Sequence, residues 1–241
     1  MSAPQAGLPL RLGVVLPSFS EHAEAALSAA RDCEEAGLDG VFAYDHLWPI
    51  ERPGEAAISP YLLLAAVGAQ TSRISIGTLV ARVGLVPNAT LGRELRTLAR
   101  LAPGRFIAGL GTGDSKSAAE NTAFGIAFDP PAHRRELLGA LARELVAEGV
   151  TVWVGGGSSG TDAVAREVGA TLNLWGADRS RLAAAALLGP VTWGGALPTD
   201  PGAAGARLAA IAAAGASWAV CSWPGSPEHL LGAARAGGLR D

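Results

Sequence analysis

The chain has 241 residues, of which 49% are hydrophobic and 17% are charged, so it has enough apolar material for a full core and too little charge for a disordered protein. Its net charge of −3 argues against a nucleic-acid-binding protein, which usually carries a basic face. The two cysteines, Cys33 and Cys221, are too few and too far apart for a disulfide framework or a cysteine-rich zinc site, and they favour a reducing, cytoplasmic location.

Neither a targeting segment nor a membrane span is predicted. Residues 1–8 lack the charged start and the long apolar run of a signal peptide. The two uncharged windows Leu182–Thr199 and Leu208–Gly225 are interrupted by glycine and proline, and much of their apolarity comes from alanine. A helix followed by a buried strand explains each window better than a transmembrane helix does.

Short apolar runs alternate along the chain with longer helical patterns. The runs are typical of buried strands, and we predict them at Leu10–Leu16, Leu38–Tyr44, Arg73–Val80, Arg105–Leu110, Thr151–Val154, Thr171–Leu174, Val191–Trp193 and Ser217–Ser222. Helices are predicted at Glu21–Ala36, Ser59–Thr71, Ala89–Leu101, His133–Glu148, Thr161–Val168, Arg179–Leu188, Gly202–Ala214 and Pro227–Ala236. Ser20 and Asn88 are predicted to cap the first and third helices, and Gly37 to end the first. A polar loop is predicted before His133.

Eight strand–helix units in succession are compatible with a (β/α)8 barrel (a TIM barrel) or with a doubly wound open sheet. The strict repetition favours the barrel, and we predict an α/β protein with one compact barrel domain over residues 1–241. In such a barrel the chemistry lies on the loops that follow the strands. The residues after each predicted strand are therefore the candidates for a functional site.

The loop after the second strand contains Asp45, His46 and Trp48. A carboxylate beside an imidazole can supply acid–base chemistry near neutral pH, and an indole can cover a planar ligand. The alternative is structural: Asp45 would fix the loop, His46 would bond a backbone carbonyl, and Trp48 would cover the barrel rim.

The loop after the fourth strand contains Gly111, Thr112, Gly113 and Asp114. Glycines let a ligand approach the backbone closely, and Asp114 would supply a second carboxylate on the same face of the barrel as His46. The alternative for Asp114 is a helix cap or a turn residue.

The loop after the fifth strand is rich in glycine and precedes a helix. Exposed backbone N–H groups at a helix start bind anions, so this loop predicts a phosphate site, formed by Gly155, Gly156, Gly157, Ser158, Ser159, Gly160 and Thr161. The loop also matches G-x-G-x-x-G, with Asp178 near the end of the next strand, which leaves a nicotinamide enzyme of the Rossmann type as an alternative. His22, His133 and His229 lie in helical patterns without metal-ligand spacing, so no metal site is predicted.

Three segments resemble a known family. Residues 36–46, AGLDGVFAYDH, are similar to the second-strand signature of the bacterial luciferase-like monooxygenase superfamily. Residues 71–80, TSRISIGTLV, and 99–113, ARLAPGRFIAGLGTG, are similar to its third and fourth strands. The resemblance covers most of residues 10–180.

This resemblance implies a barrel, often dimeric, that binds reduced flavin or the deazaflavin coenzyme F-420 over its mouth. It places His46 near the reactive ring and Asp114 near the ring nitrogens as catalytic groups, with Trp48 stacking on the ring. Leu79 and Val80 would form a bulge, often with a non-prolyl cis peptide, that backs the ring. The loop of residues 155–161 would hold a phosphate, and Asp45 and residues 111–113 would complete the cofactor site.

We therefore expect an oxidoreductase that transfers a hydride between coenzyme F-420 and a small organic substrate. An FMN-dependent monooxygenase is the alternative within the superfamily, since both cofactors carry a phosphate. A non-catalytic barrel that binds a flavin or a deazaflavin is another, because this chain lacks a long insertion usual in the family. Trp48 also follows His46 more closely than usual, and Asp114 replaces a glutamate found in some members.

Overall fold

The computed structural model describes residues 9–240. Nine strands lie in this part of the chain: β1 Arg11–Val15, β2 Gly40–Ala43, β3 Ser75–Thr78, β4 Ala81–Arg82, β5 Phe106–Gly111, β6 Thr151–Gly156, β7 Thr171–Trp175, β8 Val191–Gly195 and β9 Trp218–Cys221. The helices are α1 Glu24–Ala36, α2 Pro60–Gln70, α3 Asn88–Leu101, α4 Ser117–Ala123, α5 Pro131–Ala147, α6 Ser159–Val168, α7 Arg179–Ala186, α8 Pro201–Ala213 and α9 Pro227–Ala236.

The strands form one closed parallel barrel. Their order is β3-β2-β1-β9-β8-β7-β6-β5-β4, and β3 also pairs with β5, which closes the sheet. Ile76 of β3 lies opposite Phe106, and Ala81 of β4 lies opposite Leu110 further along the same neighbour. The nine strands thus occupy eight positions, because β3 and β4 share one. The predicted (β/α)8 barrel is confirmed.

The barrel interior and the layer between strands and helices form two separate apolar clusters. The interior cluster centres on Phe42, Trp153 and Trp218, with ring centroids 5.1 to 5.9 Å apart. Glycines make room for Phe42: a Cβ on Gly77 would lie 2.8 Å from its ring. These large rings fill the barrel axis, so the interior is a packed core and not a channel.

Several predicted element boundaries and caps are wrong, each for an identifiable reason. The third strand ends at Thr78, two residues early, because the Leu79–Val80 peptide is cis and leaves the strand path. Asn88 is the first residue of α3 and does not cap it; its amide donates to the carbonyl of Leu137 at 2.8 Å. Ser20 accepts from the amide of His22 in a local turn, and α1 begins only at Glu24.

The remaining predictions concern the end of α1, the loop before α5 and membrane spans. Gly37 ends α1 with φ of 84°, as predicted. The predicted polar loop before α5 contains the short helix α4, which the sequence pattern did not indicate. Within residues 9–240, no helix combines the length and the apolarity that a membrane crossing requires.

Candidate active site

A cavity of about 890 Å³ opens at the carboxyl ends of the strands. Its size lies in the upper part of the range for small-molecule sites. Twelve of the predicted site residues line it: His46, Leu79, Val80, Gly111, Thr112, Gly113, Asp114, Gly155, Gly156, Gly157, Ser158 and Thr161. Leu79 also belongs to the interior cluster, so that cluster forms the floor of the cavity.

His46 follows β2 and lies in the cavity wall with 21% of its side chain exposed. Its Nδ1 is 2.8 Å from Oε1 of Glu120, a carboxylate on α4 with no exposed surface. The other carboxylate oxygen of Glu120 is 2.6 Å from the guanidinium of Arg82. Sequence reasoning missed both Glu120 and Arg82, because they come from a segment read as a loop and from a two-residue strand.

Asp45 does not line the cavity. Neighbouring residues of an extended chain point in opposite directions, so Asp45 enters the barrel wall where His46 enters the cavity. Its Oδ2 accepts from the hydroxyl of Tyr61 at 2.7 Å and from the amide of Arg82 at 2.9 Å. Burial raises the pKa of Asp45, against the lowering effect of these two hydrogen bonds. Asp45 therefore supports the site from behind, and it does not line the predicted cofactor pocket.

The break between β3 and β4 forms one wall of the cavity. Leu79 and Val80 line it, and the peptide that joins them is cis, as the resemblance implied. The facing strand β5 approaches this wall so closely that a Cβ on Gly111 would lie 2.3 Å from Cγ2 of Val80. Glycine at this position therefore lets the wall and the strand meet.

Asp114 is exposed at the cavity rim. Its Oδ1 accepts from the amide of Lys116 at 2.9 Å and from that of Ser117 at 3.3 Å, which is the turn geometry weighed as its alternative role. Both roles are compatible, since Oδ2 has no hydrogen-bond partner among residues 9–240. The loop is held by the buried Arg134, whose guanidinium donates to the carbonyls of Thr112 and Gly113.

The start of α6 borders the cavity, which Ser158 and Thr161 line. Ser158 and Thr161 form a capping box, in which each side-chain oxygen accepts from the amide of the other residue at 3.2 Å. Gly157 has no atom within 4 Å of the position of a Cβ, so its backbone is open to the cavity. Ser159 and Gly160 lie on the helix itself and do not line the cavity.

Arg135 adds a positive charge beside this helix start. Its side chain lies against Gly160, where a Cβ would be 2.6 Å from the Cδ of the arginine, and it lines the cavity. No hydrogen bond or ion pair engages its guanidinium within residues 9–240. Open backbone at Gly157, the positive end of a helix and a cation without a partner in this part of the chain are the features that bind an anion in other proteins.

The aromatic side chains of the cavity differ from the prediction. Trp48 lies outside the lining and contacts Phe124, with ring centroids 5.8 Å apart. The cavity instead contains Phe19, Tyr44 and Trp175, and the ring centroid of Tyr44 lies 5.8 Å from each of the other two. Trp175 keeps 47% of its surface exposed, so an indole is available to a ligand from β7 and not from the loop after β2.

Comparison with known proteins agrees with the fold and identifies the family. The profile of the luciferase-like monooxygenase family matches residues 9–221. An F420-dependent glucose-6-phosphate dehydrogenase of Kineococcus radiotolerans is 40% identical over 124 residues, which cover 51% of this chain and 36% of that protein. An F420-dependent hydroxymycolic acid dehydrogenase of Mycobacterium tuberculosis is 36% identical over 114 residues, which cover 46% and 32%. The chain thus spans about a third of the length of these curated relatives.

Solved structures share the fold at low sequence identity. An F420-dependent secondary alcohol dehydrogenase, in complex with an F420-acetone adduct, superposes with a TM-score of 0.79 at 14% identity, covering 97% of this chain and all of that one. The monooxygenase RslO1 from Streptomyces bottropensis superposes with a TM-score of 0.71 at 16% identity, covering 95% and 97%. With the family profile matched along most of its length, this chain belongs to the luciferase-like monooxygenase family of flavin- and F420-dependent oxidoreductases.

Proposed function

We propose that this protein is an oxidoreductase that uses coenzyme F-420 and a small organic substrate. One observation carries the proposal: a single cavity is lined by an imidazole, by a carboxylate whose Oδ2 has no partner among residues 9–240, and by a glycine-rich helix start with an arginine beside it. Proton-transfer groups beside a phosphate site are what a phosphorylated redox cofactor and a hydroxyl or carbonyl substrate require. The naming of several relatives as F420-dependent dehydrogenases supports the deazaflavin over FMN.

The residues present fit such a cofactor. Gly157 leaves the backbone open just before α6, and Arg135 supplies the charge that would pair with a phosphate. The Leu79–Val80 wall offers an apolar surface for a planar ring system. When bound, the deazaflavin ring would supply the two-electron chemistry by accepting or donating a hydride.

The protein's own part is binding and proton transfer. In the oxidation of an alcohol, a hydride leaves carbon and the hydroxyl proton must be removed; we assign that proton to the imidazole of His46. Asp114 would interact through Oδ2 with polar groups at the cavity rim. Arg134 would keep its loop in place, because it holds two carbonyls of that loop.

Equilibrium titration tests the cofactor. The titration is followed by fluorescence, with each cofactor in its oxidised and its reduced form. We expect micromolar binding of F-420 and weak binding of FMN. A preference for FMN would instead support a monooxygenase, and binding of neither would support a barrel that has lost its cofactor. Either result would refute the proposal.

Substitution of Arg135 tests the phosphate site. Arg135→Gln should weaken F-420 binding about tenfold, the loss expected for one charge-assisted hydrogen bond. Arg143→Gln is the matched control, because Arg143 lies on the same helix, pairs with Glu167 at 2.7 Å and does not line the cavity. Equal affinities of the two variants for F-420 would refute a phosphate site at this loop.

Turnover tests the role of His46. Glucose 6-phosphate and propan-2-ol are first substrates to assay, since relatives are named for a sugar phosphate and a secondary alcohol. With an active substrate in hand, His46→Ala should abolish F-420 reduction and leave the affinity for F-420 within about tenfold. Equal losses of binding and turnover would contradict a role in proton transfer.

A further inference from the structure

Glu120 is an ionisable group inside the protein that neither the binding of a cofactor nor the binding of a substrate explains. It has no exposed surface and does not line the cavity. Burial of a carboxylate is costly unless every oxygen is paired. Here one oxygen is 2.8 Å from His46, and the other is 2.6 Å from Arg82 and 3.4 Å from the amide of Leu47.

The chain fixes Glu120 in place from the side opposite His46. Arg82 is itself held, because its Nε donates to the carbonyl of Asp45 at 2.7 Å and its amide donates to the Asp45 side chain. A guanidinium has donors and no acceptor. The oxygen of Glu120 that faces Arg82 is therefore held in an ion pair with a group that only donates, so no donor can take its place there.

This arrangement determines where the histidine carries its proton. Since a carboxylate offers acceptors, Nδ1 of His46 must be a donor in the neutral imidazole. The lone pair then lies on Nε2, on the side of the ring away from Glu120. Of the two ring nitrogens, Nε2 is thus the one left free to exchange a proton with a ligand in the cavity.

We propose that Glu120, held by Arg82, is a positioning residue that fixes His46 as the Nδ1–H tautomer and leaves Nε2 as the atom that takes and returns the substrate proton. The part that concerns the substrate rests on the proposed function. The part that concerns the tautomer is a property of the protein alone.

Replacement of Glu120 by the isosteric glutamine should invert the tautomer of His46. In Glu120→Gln the amide oxygen must face Arg82, which only donates, so the NH₂ group must face His46. An NH₂ donor requires a lone pair on Nδ1, and the neutral ring must become the Nε2–H tautomer. A purely structural role of Glu120 would not invert the tautomer.

Nitrogen NMR of the protein labelled in histidine measures this directly without cofactor. The chain has four histidines, and His46→Gln identifies the signal of His46 by its loss. At a pH where the ring is neutral, wild type should show Nδ1–H and Glu120→Gln should show Nε2–H. Glu144→Gln, a surface change on α5, is the matched control and should leave the signal of His46 unchanged. An Nε2–H signal in wild type, or the same tautomer in wild type and Glu120→Gln, would overturn the inference.

A second variant covers the case in which Glu120→Gln does not fold. The double replacement Arg82→Met with Glu120→Leu removes both partners of the ion pair, so that neither Glu120 nor Arg82 is left buried without the other. Nδ1 then loses its acceptor, and the wild-type Nδ1–H signal pattern should disappear; its persistence would overturn the inference.

Activity separates this inference from the proposed function. In an F-420-dependent assay Glu120→Gln should lower kcat at least about 100-fold, since a histidine in the wrong tautomer cannot accept the proton. The Kd for F-420 should stay within about threefold of wild type. Inversion of the tautomer in a protein that does not bind F-420 would leave the inference standing and refute the proposed function. Full turnover by Glu120→Gln would refute the inference alone.

Discussion

Because β3 approaches β5 closely, a methyl group added at Gly109 should lower the stability of the fold strongly. A Cβ on Gly109 would lie 2.1 Å from the carbonyl oxygen of Thr78. A carbon and an oxygen in contact are normally about 3.3 Å apart, so Gly109→Ala requires a separation of about 1.2 Å. The obstacle is backbone, and Thr78 also donates from its hydroxyl to the carbonyl of Gly109 at 2.7 Å, so neither strand can yield alone.

The magnitude follows from the cost of overpacking a close-packed interior. Overpacking typically costs 1–3 kcal/mol, and a clash with backbone belongs at the upper end, about 3 kcal/mol. For a chain of this size each kcal/mol lowers Tm by about 2–4 °C, so Gly109→Ala should lower Tm by about 6–12 °C. Thermal unfolding followed by circular dichroism measures the shift.

A matched glycine provides the control. Gly232 lies within α9, and no atom lies within 4 Å of the position of its Cβ. Gly232→Ala should therefore stabilise the helix by about 0.5–1 kcal/mol and raise Tm by about 1–4 °C. A Tm for Gly109→Ala within about 1 °C of wild type would refute the argument from close approach, whatever the control shows.

Three further predictions concern the buried Tyr44, the two buried cysteines and the hydrogen bonds of Arg105. Burial raises the pKa of Tyr44 from 10.0 to about 12, so the folded state favours the neutral phenol. The free energy of unfolding should therefore fall as pH rises from 10 to 12, and urea titrations of Tyr44→Phe should show a smaller fall over that interval. Cys33 and Cys221 each have a pKa raised to about 12 by burial, so a thiol reagent at pH 8 should label neither until denaturant exposes both. The guanidinium of Arg105 donates to the carbonyl of Gly68 at 3.0 Å and to three further acceptors between α2 and β3, so Arg105→Met should lower the free energy of unfolding in urea by about 2–3 kcal/mol.

The fold was predictable because strand and helix periodicity repeats along the chain. Buried runs such as Phe106–Gly111 and glycine stops such as Gly37 are local signals, and they located the elements to within a few residues. The break at Leu79–Val80 was expected from the family resemblance alone, since nothing in its composition distinguishes it from a continuous strand. The cap predicted at Asn88 failed because its side chain bonds Leu137, which is distant in sequence, and the one at Ser20 because its hydroxyl bonds the nearby amide of His22.

The site was predictable in its glycine loops and in His46, and much less so in its supporting groups. Glu120 lies 74 residues after His46, so no spacing rule connects the two. Arg82 sits next to apolar residues and resembles the end of a strand. The alternation of side chains along β2, continued past the end of the strand, could have placed Asp45 in the wall and His46 in the cavity, because adjacent residues of an extended chain face opposite sides.

The connection from β5 to α5 carries a consequence for protein engineering. Residues 112–130 contain Asp114 at the rim and Glu120 beneath His46, and both ends of this segment are held by the guanidinium of Arg134, through Thr112 and Asp129. A graft of this segment into a related barrel would therefore move an exposed acid and the partner of the imidazole together, as one exchangeable module. Its success would depend on the recipient having arginines where Arg82 and Arg134 stand, because without Arg134 the ends of the segment would not be held and without Arg82 the transplanted Glu120 would be a buried carboxylate that has lost its guanidinium partner.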